Sequence, residues 1–438
     1  MRHLLITVVF FICGTLLYAQ EFYTLEKCIT IGLEHNYSIR IVQNEEQISS
    51  NNATLGNAGG LPTIDLSGGM NGTRYNYNYD YTDGSSDKFS NINNETANIG
   101  VNMNWTVFDG FGIQAEYGKL KELEQMGRLN TRLSIENLTA TIAAEYYNLI
   151  RQRIRLKNLS SAVRLSKEWL RITEVSFVTG FRSGLDLQQS RVYFNADSSR
   201  LLTQIEVVKS SVIRLNELMG IDSVNSEINV LDTIPLTMTL VESTLWEKTF
   251  SNNVSLLASY KNKTISELDY RKIRSRNYPY LRLTGGYGYA ANWYGSGTTE
   301  LMQQTGFNYG VTVGLNLFNG MNRQREQRNA RIQIQNSELR IQDLELGLKA
   351  DLANLWMAYH NNLELRELEK ENLVVAQNNY EIANERYKLG ELAGIELREA
   401  QNGLLEAEER LSIAEYNTKL CEISLMQLSG QILVYLSE

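Results

Sequence analysis

The chain carries one structural unit twice. Trp105-Thr106-Val107-Phe108-Asp109-Gly110 returns 210 residues later as Leu315-Asn316-Leu317-Phe318-Asn319-Gly320. At the same offset of 210, Phe177-Val178-Thr179-Gly180 returns as Tyr387-Lys388-Leu389-Gly390 and Leu218-Met219-Gly220 as Leu428-Ser429-Gly430. Upstream, Asn36-Tyr37-Ser38-Ile39 and Leu61-Pro62 return as Asn253-Val254-Ser255-Leu256 and Tyr278-Pro279 at an offset of 217. The change of seven residues falls between the proline and the Phe-Asx-Gly element, where a loop can vary. Self-similarity at a constant offset predicts a duplicated fold.

Each copy contains two kinds of pattern. Pro62, Pro235 and Pro279 are the only prolines in 438 residues. The tracts 110–180 and 320–390 therefore contain none, and each is free to form unbroken helix of about 100 Å. The return tracts 180–220 and 390–430 carry heptad spacing. Leu397, Ala400, Leu404, Ala407, Leu411, Ala414, Thr418, Cys421, Leu425 and Leu428 fall at steps of three and four. Their counterparts are Leu187, Ser190, Phe194, Asp197, Leu201, Gln204, Val208, Ser211, Leu215 and Leu218. Sustained 3-4 spacing means left-handed coiled-coil packing, with Cys421 a small core residue.

Before each helical tract the period is two. Ala97, Ile99, Val101, Met103, Trp105 and Val107 alternate with polar or small residues, as do Phe307, Tyr309, Val311, Val313, Leu315 and Leu317. Partner strands precede them. One carries Ile64, Leu66 and Met70 and then Tyr75, Tyr77, Tyr79 and Tyr81; the other carries Leu281, Leu283, Tyr287, Tyr289 and Trp293. Segments of about ten residues with this alternation are the signature of transmembrane β-strands, and aromatics toward the loop ends suit an interfacial girdle. A soluble sheet with one wet face explains any single strand equally well. Four such strands in two hairpins behind an export signal favour the membrane. That signal is Met1-Arg2-His3, the apolar run 4–17 and a small-residue site at Ala19. The apolar run is too short to span a bilayer. Lipidation at Cys13 is the weaker alternative, because Ile12 stands where a small residue is expected.

Other classes have little behind them. The formal charge of −8 offers no basic surface for nucleic acid. Three histidines and three cysteines are too few and scattered for a metal site or a disulfide framework, and neither a catalytic constellation nor a phosphate loop appears. Asp83 and Asp87 lie in a Tyr/Gly/Ser-rich loop whose exposure explains them more simply than a metal. No cofactor is expected, and the chain is read as a non-enzyme.

Four strands cannot close a barrel, and an open edge in lipid leaves backbone groups unpaired. Several chains must pool their hairpins: two copies give eight strands, three give twelve. At this point the chain resembles the TolC-like outer membrane efflux proteins. The resemblance rests on the duplicated layout, on Tyr387-Lys388-Leu389-Gly390-Glu391-Leu392-Ala393-Gly394-Ile395-Glu396-Leu397-Arg398-Glu399-Ala400-Gln401, and on the weaker copy from Phe177 to Ser190. It implies an internally duplicated α+β membrane protein: a homotrimeric 12-stranded β-barrel, four strands per chain, continuous with a long α-helical coiled-coil barrel. The expected division is a signal peptide 1–19, a first repeat 20–230 with β-hairpin 61–109 and helical hairpin 110–219, and a second repeat 231–438. The second repeat holds β-hairpin 278–319 and helical hairpin 320–430, and segments 220–241 and 431–438 supply a mixed equatorial girdle.

The resemblance further implies a passive outer membrane exit duct extending into the periplasm, in contact with outer membrane lipid. It would be served by a periplasmic adaptor and an inner-membrane transporter. Efflux of small molecules and type I secretion of polypeptides both stay open. At the periplasmic tip, Thr179, Gly180, Phe181, Leu389, Gly390 and Glu391 would dock the adaptor. Glu396, Glu399 and Asp186 would form an acidic ring at the entrance; the first repeat has Gln189 in the second acidic place. Tyr387 and Arg182 are the candidates for the entrance latch, with Asp186 also at a matching position. Leu392 stands where the family pattern has an arginine, whereas Arg182 holds the matching place after the first glycine. The competing reading is a periplasm-spanning coiled-coil scaffold or adhesin; a stand-alone porin would not devote half its length to heptads.

Overall fold

The structure, a computed structural model, describes residues 22–236 and 240–436. The expected signal peptide 1–19 lies outside the described residues. Helix α1 (Leu25–His35) and α2 (Tyr37–Asn52) lead into β1 (Thr63–Asp80) and β2 (Ser86–Phe108), followed by α3 (Gly112–Val178) and α4 (Gly184–Met219). The second copy repeats the order: α5 (Glu242–Asn252), α6 (Val254–Ser275), β3 (Tyr280–Trp293), β4 (Leu301–Gly314), α7 (Asn322–Lys388) and α8 (Gly394–Leu428), with a short α9 (Ile432–Tyr435). Helices α3 and α7 each run 67 residues without a break. The chain divides into two compact units. One comprises the described residues of Met1–Asn44, Leu129–Leu257 and Gln342–Glu438, the other Glu45–Arg128 and Ala258–Ile341.

The first unit is helical and holds the main core. Cys28, Ile142, Leu149, Ile150, Leu215, Met219, Leu352, Leu425 and Ile432 are buried there together. The duplication is visible in two matching elbows. Asn36 donates through Nδ2 to the Leu218 carbonyl at 3.0 Å and accepts the Ser38 amide at 2.9 Å. Asn253 donates to the Leu428 carbonyl at 2.9 Å and accepts the Leu256 amide at 3.0 Å. An asparagine at each helix–helix break thus caps the new helix and ties it to the end of the return helix. Gly220 and Gly430 close those return helices at φ +70° and +65°, against the His35 and Asn252 carbonyls, where a β-carbon would collide with backbone. Within α8, Lys419 donates to Glu422 at 2.8 Å and to the Tyr435 hydroxyl of α9 at 2.6 Å, and that hydroxyl donates to Glu422 at 2.6 Å. Both charges are buried, so each is satisfied by the other two groups. Burial and the neighbouring carboxylate push the Tyr435 hydroxyl well above the usual phenol range.

The second unit carries one antiparallel sheet in the order β1-β2-β3-β4. Its register sorts the side chains into two faces, because directly opposed residues share a face. Ile64 opposes Met103, Leu66 opposes Val101, Val101 opposes Tyr287, Tyr287 opposes Phe307, and Leu283 opposes Val311. In these rows one face is therefore apolar across all four strands; toward the loops the same face takes Glu95, Gln303 and Thr305. The other face holds Asp65, Ser67, Asn102, Asn98, Gly286, Gly288, Asn308 and Thr312. The outer edges of β1 and β4 pair with no strand among the described residues.

Two strand expectations change. The second hairpin's alternation was expected to continue through Leu317, but β4 ends at Gly314, whereas β2 continues to Phe108 because β3 pairs with it on that side. Beyond Gly314 no strand lies alongside among the described residues. The tyrosines of β1 also do not belong to the girdle. Tyr75 opposes Ile92 in the register that places Asn71 opposite Thr96, so Tyr75, Tyr77 and Tyr79 extend the polar face. The aromatics of the apolar face are Trp105, Tyr287, Tyr289, Trp293, Phe307 and Tyr309.

Candidate functional site

Both helical hairpins reverse by the same device. Gly180 and Gly390 adopt φ +79° and +80°, and a β-carbon at either would meet nothing within 4 Å. The Phe181 amide donates to the Ser176 carbonyl at 2.8 Å and the Glu391 amide to the Arg386 carbonyl at 2.9 Å. Gly180 and Gly390 donate to the carbonyls of Phe177 and Tyr387 at 3.0 and 3.1 Å. This is a left-handed glycine cap that satisfies the last carbonyls of α3 and α7. The turns project apolar side chains into solvent: Phe181 is 87 % and Leu389 73 % exposed, with Val178 and Ile395 beside them. Thr179 turns its hydroxyl back onto the Val175 carbonyl at 3.1 Å. Glu391 is exposed, 3.8 Å from Arg386.

The acidic candidates divide by function in the backbone. Asp186 accepts the Ser183 amide at 3.1 Å and the Ser183 hydroxyl at 2.8 Å, while Ser183 accepts the Asp186 amide, a complete capping box. Glu396, its counterpart in the second repeat, accepts the Ala393 amide at 3.1 Å. Both carboxylates therefore cap the return helices and complement their dipoles. Glu399 is exposed on α8, away from the buried Leu397 and Ala400.

Behind the turns the two hairpins are locked together. Tyr387 is only 2 % exposed. Its hydroxyl receives a hydrogen bond from Trp169 Nε1 and lies 3.1 Å from the Thr173 hydroxyl. The Trp169 ring meets Tyr387 edge-on with centroids 5.7 Å apart and stacks on Tyr193 at 5.3 Å. Arg182 places its guanidinium 4.2 Å from the Tyr387 ring centroid, a cation–π contact. The two latch candidates are thus brought together within one chain. Asp186 does not join them. Leu392 packs on the apolar cluster of Trp169, Ala383, Tyr387, Leu397 and Ala400.

One further pair is absent from the sequence-based candidates. Arg398 on α8 donates to Asp197 on α4 through two parallel bonds, Nη1 to Oδ2 at 2.7 Å and Nη2 to Oδ1 at 2.8 Å. Arg398 and Asp197 side chains are 7 % and 1 % exposed. The guanidinium also lies 5.0 Å from the Tyr193 ring, and Arg200 approaches Asp197 at 3.7 Å. A signal for this pair existed: Asp197 sits on the heptad core stripe, where a lone carboxylate demands a cation.

The model for the family described as outer membrane efflux protein matches residues 29–221 and 245–431. The chain belongs to that family. It is 23 % identical over 306 residues, 68 % of each chain, to the outer membrane protein TolC of Vibrio cholerae. Its fold is similar to the CmeC outer membrane channel of Campylobacter jejuni, with a TM-score of 0.78, 15 % identity and coverage of 96 % of this chain and 91 % of that one. It is likewise similar to the open state of the MtrE outer membrane channel of Neisseria gonorrhoeae, with a TM-score of 0.73, 14 % identity and coverage of 93 % and 89 %. This efflux protein is accordingly an outer membrane exit duct that extends into the periplasm.

Proposed function

We propose that three copies close one barrel and form the passive duct of a tripartite pump, fed by a periplasmic adaptor and an inner-membrane transporter. The observation that carries this reading is the sheet: one face with apolar rows across all four strands, one Asn/Gly/Thr face, and two outer edges that pair with no strand among the described residues. Edge backbone groups left unpaired in lipid cost several kcal/mol each, so β4 of one copy pairs with β1 of the next. Three copies, the number the family resemblance implies, give twelve strands. The residues beyond Gly314 then find in the neighbouring copy the partner that β2 finds in β3.

At the tip, Thr179, Gly180, Phe181, Leu389, Gly390 and Glu391 form the adaptor surface, with Phe181 and Leu389 as apolar anchors. Tyr387 and Arg182 form the entrance latch, in which Arg182 takes the role that Leu392 cannot. Glu399 supplies the free carboxylates of the acidic ring, and Asp186 and Glu396 contribute carboxylates that each have one oxygen engaged in a cap. Energy comes from the inner-membrane partner, and no catalytic or cofactor-binding residue is assigned.

The test is the mass of the detergent-extracted protein by light scattering, corrected for bound detergent. Three chains support the shared barrel. A monomer with the sheet intact overturns it and favours a scaffold or adhesin.

A further inference from the structure

The two hairpins are unequal. Pairing between β2 and β3 ends at Glu95 opposite Trp293, yet β1 and β2 continue to Asp80 and Ser86. The first hairpin therefore overhangs the second as a two-stranded ribbon on the loop side of the sheet. A bulge bends it, where the register moves between Tyr75 and Tyr77 and Asn91 takes φ +60°, its amide held by Asn76 Oδ1 at 2.7 Å.

The ribbon's faces differ in kind. Tyr75, Tyr77, Tyr79 and Tyr81 form a ladder with successive ring centroids 5.7, 5.9 and 6.4 Å apart. Phe89 meets Tyr79 edge-on, and Ile92, opposite Tyr75, is buried at 8 %. Asp87 opposes Tyr79 and accepts the Tyr81 hydroxyl at 3.3 Å. Neither cation of the ribbon lies on this side: Arg74 opposes Asn93, and Lys88 opposes Asn78, on the other face. The aromatic side thus combines electron-rich ring faces with a carboxylate, and by register it continues the polar, interior face.

Resting on the duct reading above, we propose that this ladder is a transient binding strip at the outer mouth for amphipathic organic cations leaving the duct. Ring faces attract cations and cover flat apolar bodies, while Asp87 contributes charge complementarity. A strip of equivalent rings, each holding weakly, lets such a ligand step outward rather than stay bound.

The test uses the full chain in lipid nanodiscs with ethidium as the probe, read by fluorescence anisotropy, and fluorescein as its anionic counterpart. Tyr77→Ser/Tyr79→Ser is expected to weaken ethidium about tenfold, because two ring contacts are lost. Tyr77→Phe/Tyr79→Phe, which keeps the rings, stays within about twofold, and Asp87→Asn weakens ethidium about threefold. Unchanged ethidium affinity in the serine variant overturns the proposal, as does equal loss of fluorescein. Should the serine variant fail to assemble, Asp87→Asn decides: a threefold loss supports the strip and an unchanged Kd overturns it. Light scattering of the detergent-extracted protein reads the shared barrel separately. A monomer that binds ethidium through the ladder keeps the strip and overturns the barrel.

Discussion

The Asp197–Arg398 pair joins the return helix of the first repeat to that of the second, so it measures how firmly the tip is held. Replacing Asp197 with Leu leaves the guanidinium buried, with only the Tyr193 ring at 5.0 Å and Gln401 Oε1 at 3.3 Å. Removing one partner of a buried pair costs about 3–5 kcal/mol, mostly the cost of the abandoned charge. At 1.4 kcal/mol per tenfold, local opening of the first turns of α8 becomes roughly 100- to 5,000-fold more populated. Amide hydrogen exchange over residues 394–405 of the assembled protein reads that population directly. Arg398→Met alone is expected to act in the same direction, since it strands the Asp197 carboxylate. The double variant Asp197→Leu/Arg398→Met restores protection to within about tenfold of the parent, because an apolar pair of similar volume is close to neutral. Exchange in Asp197→Leu within threefold of the parent would refute the reasoning. So would a double variant as labile as the single.

Tyr387→Phe leaves the buried Trp169 N–H without its acceptor, at about 1–3 kcal/mol, and is expected to raise basal single-channel conductance. Arg182→Ala removes the cation–π contact, worth about 0.5–1 kcal/mol, and raises conductance less. Gly390→Ala meets no atom within 4 Å, so it costs only the backbone's left-handed conformation, about 1–2 kcal/mol. Thermal circular dichroism should show a midpoint lower by a few degrees with assembly intact. Burial raises the Glu408 pKa. The folded state then binds its proton at higher pH than the unfolded chain, so stability falls as pH rises through the elevated value and recovers below it. Glu408→Gln should melt higher than the parent at pH 7.5, with the difference vanishing below the ordinary carboxyl value of 4.5.

The fold was legible because two periods alternate cleanly in a duplicated chain. Long proline-free tracts became α3 and α7, and period-two runs became four strands of one sheet. The tyrosines of β1 were misplaced for a specific reason. Aromatic residues near a loop end satisfy the composition of a girdle on either face, and only the register, with Asp65, Ser67, Asn71 and Tyr75 on one side, tells which face they occupy. The overshoot at Leu315 and Leu317 has a related cause. Alternation records which side chains share an apolar face, whereas a strand also needs a neighbour, and β4 has none beyond Gly314 among the described residues.

The site was legible at its turns and hidden in its interior. Glycine caps and capping boxes are local, and both repeats display them at the same offset. The lock behind them joins residues about 200 positions apart, and its residues are those at which the copies have diverged. Trp169 faces Asn379 in the alignment of the repeats, Tyr193 faces Gly403, Asp197 faces Ala407, Arg398 faces Gln188, and Tyr387 faces Phe177. Each contact takes one member from either copy: Trp169 with Tyr387, Asp197 with Arg398. Complementary chemistry across two copies of one unit requires that the copies differ there, a carboxylate in one and a guanidinium in the other. The elbows show the converse. Asn36 and Asn253 perform the same bond in each copy, and there the duplication is unchanged. In a duplicated duct, then, conserved offsets between repeats mark what each half does alone, and broken ones on the core stripe mark where the halves hold each other.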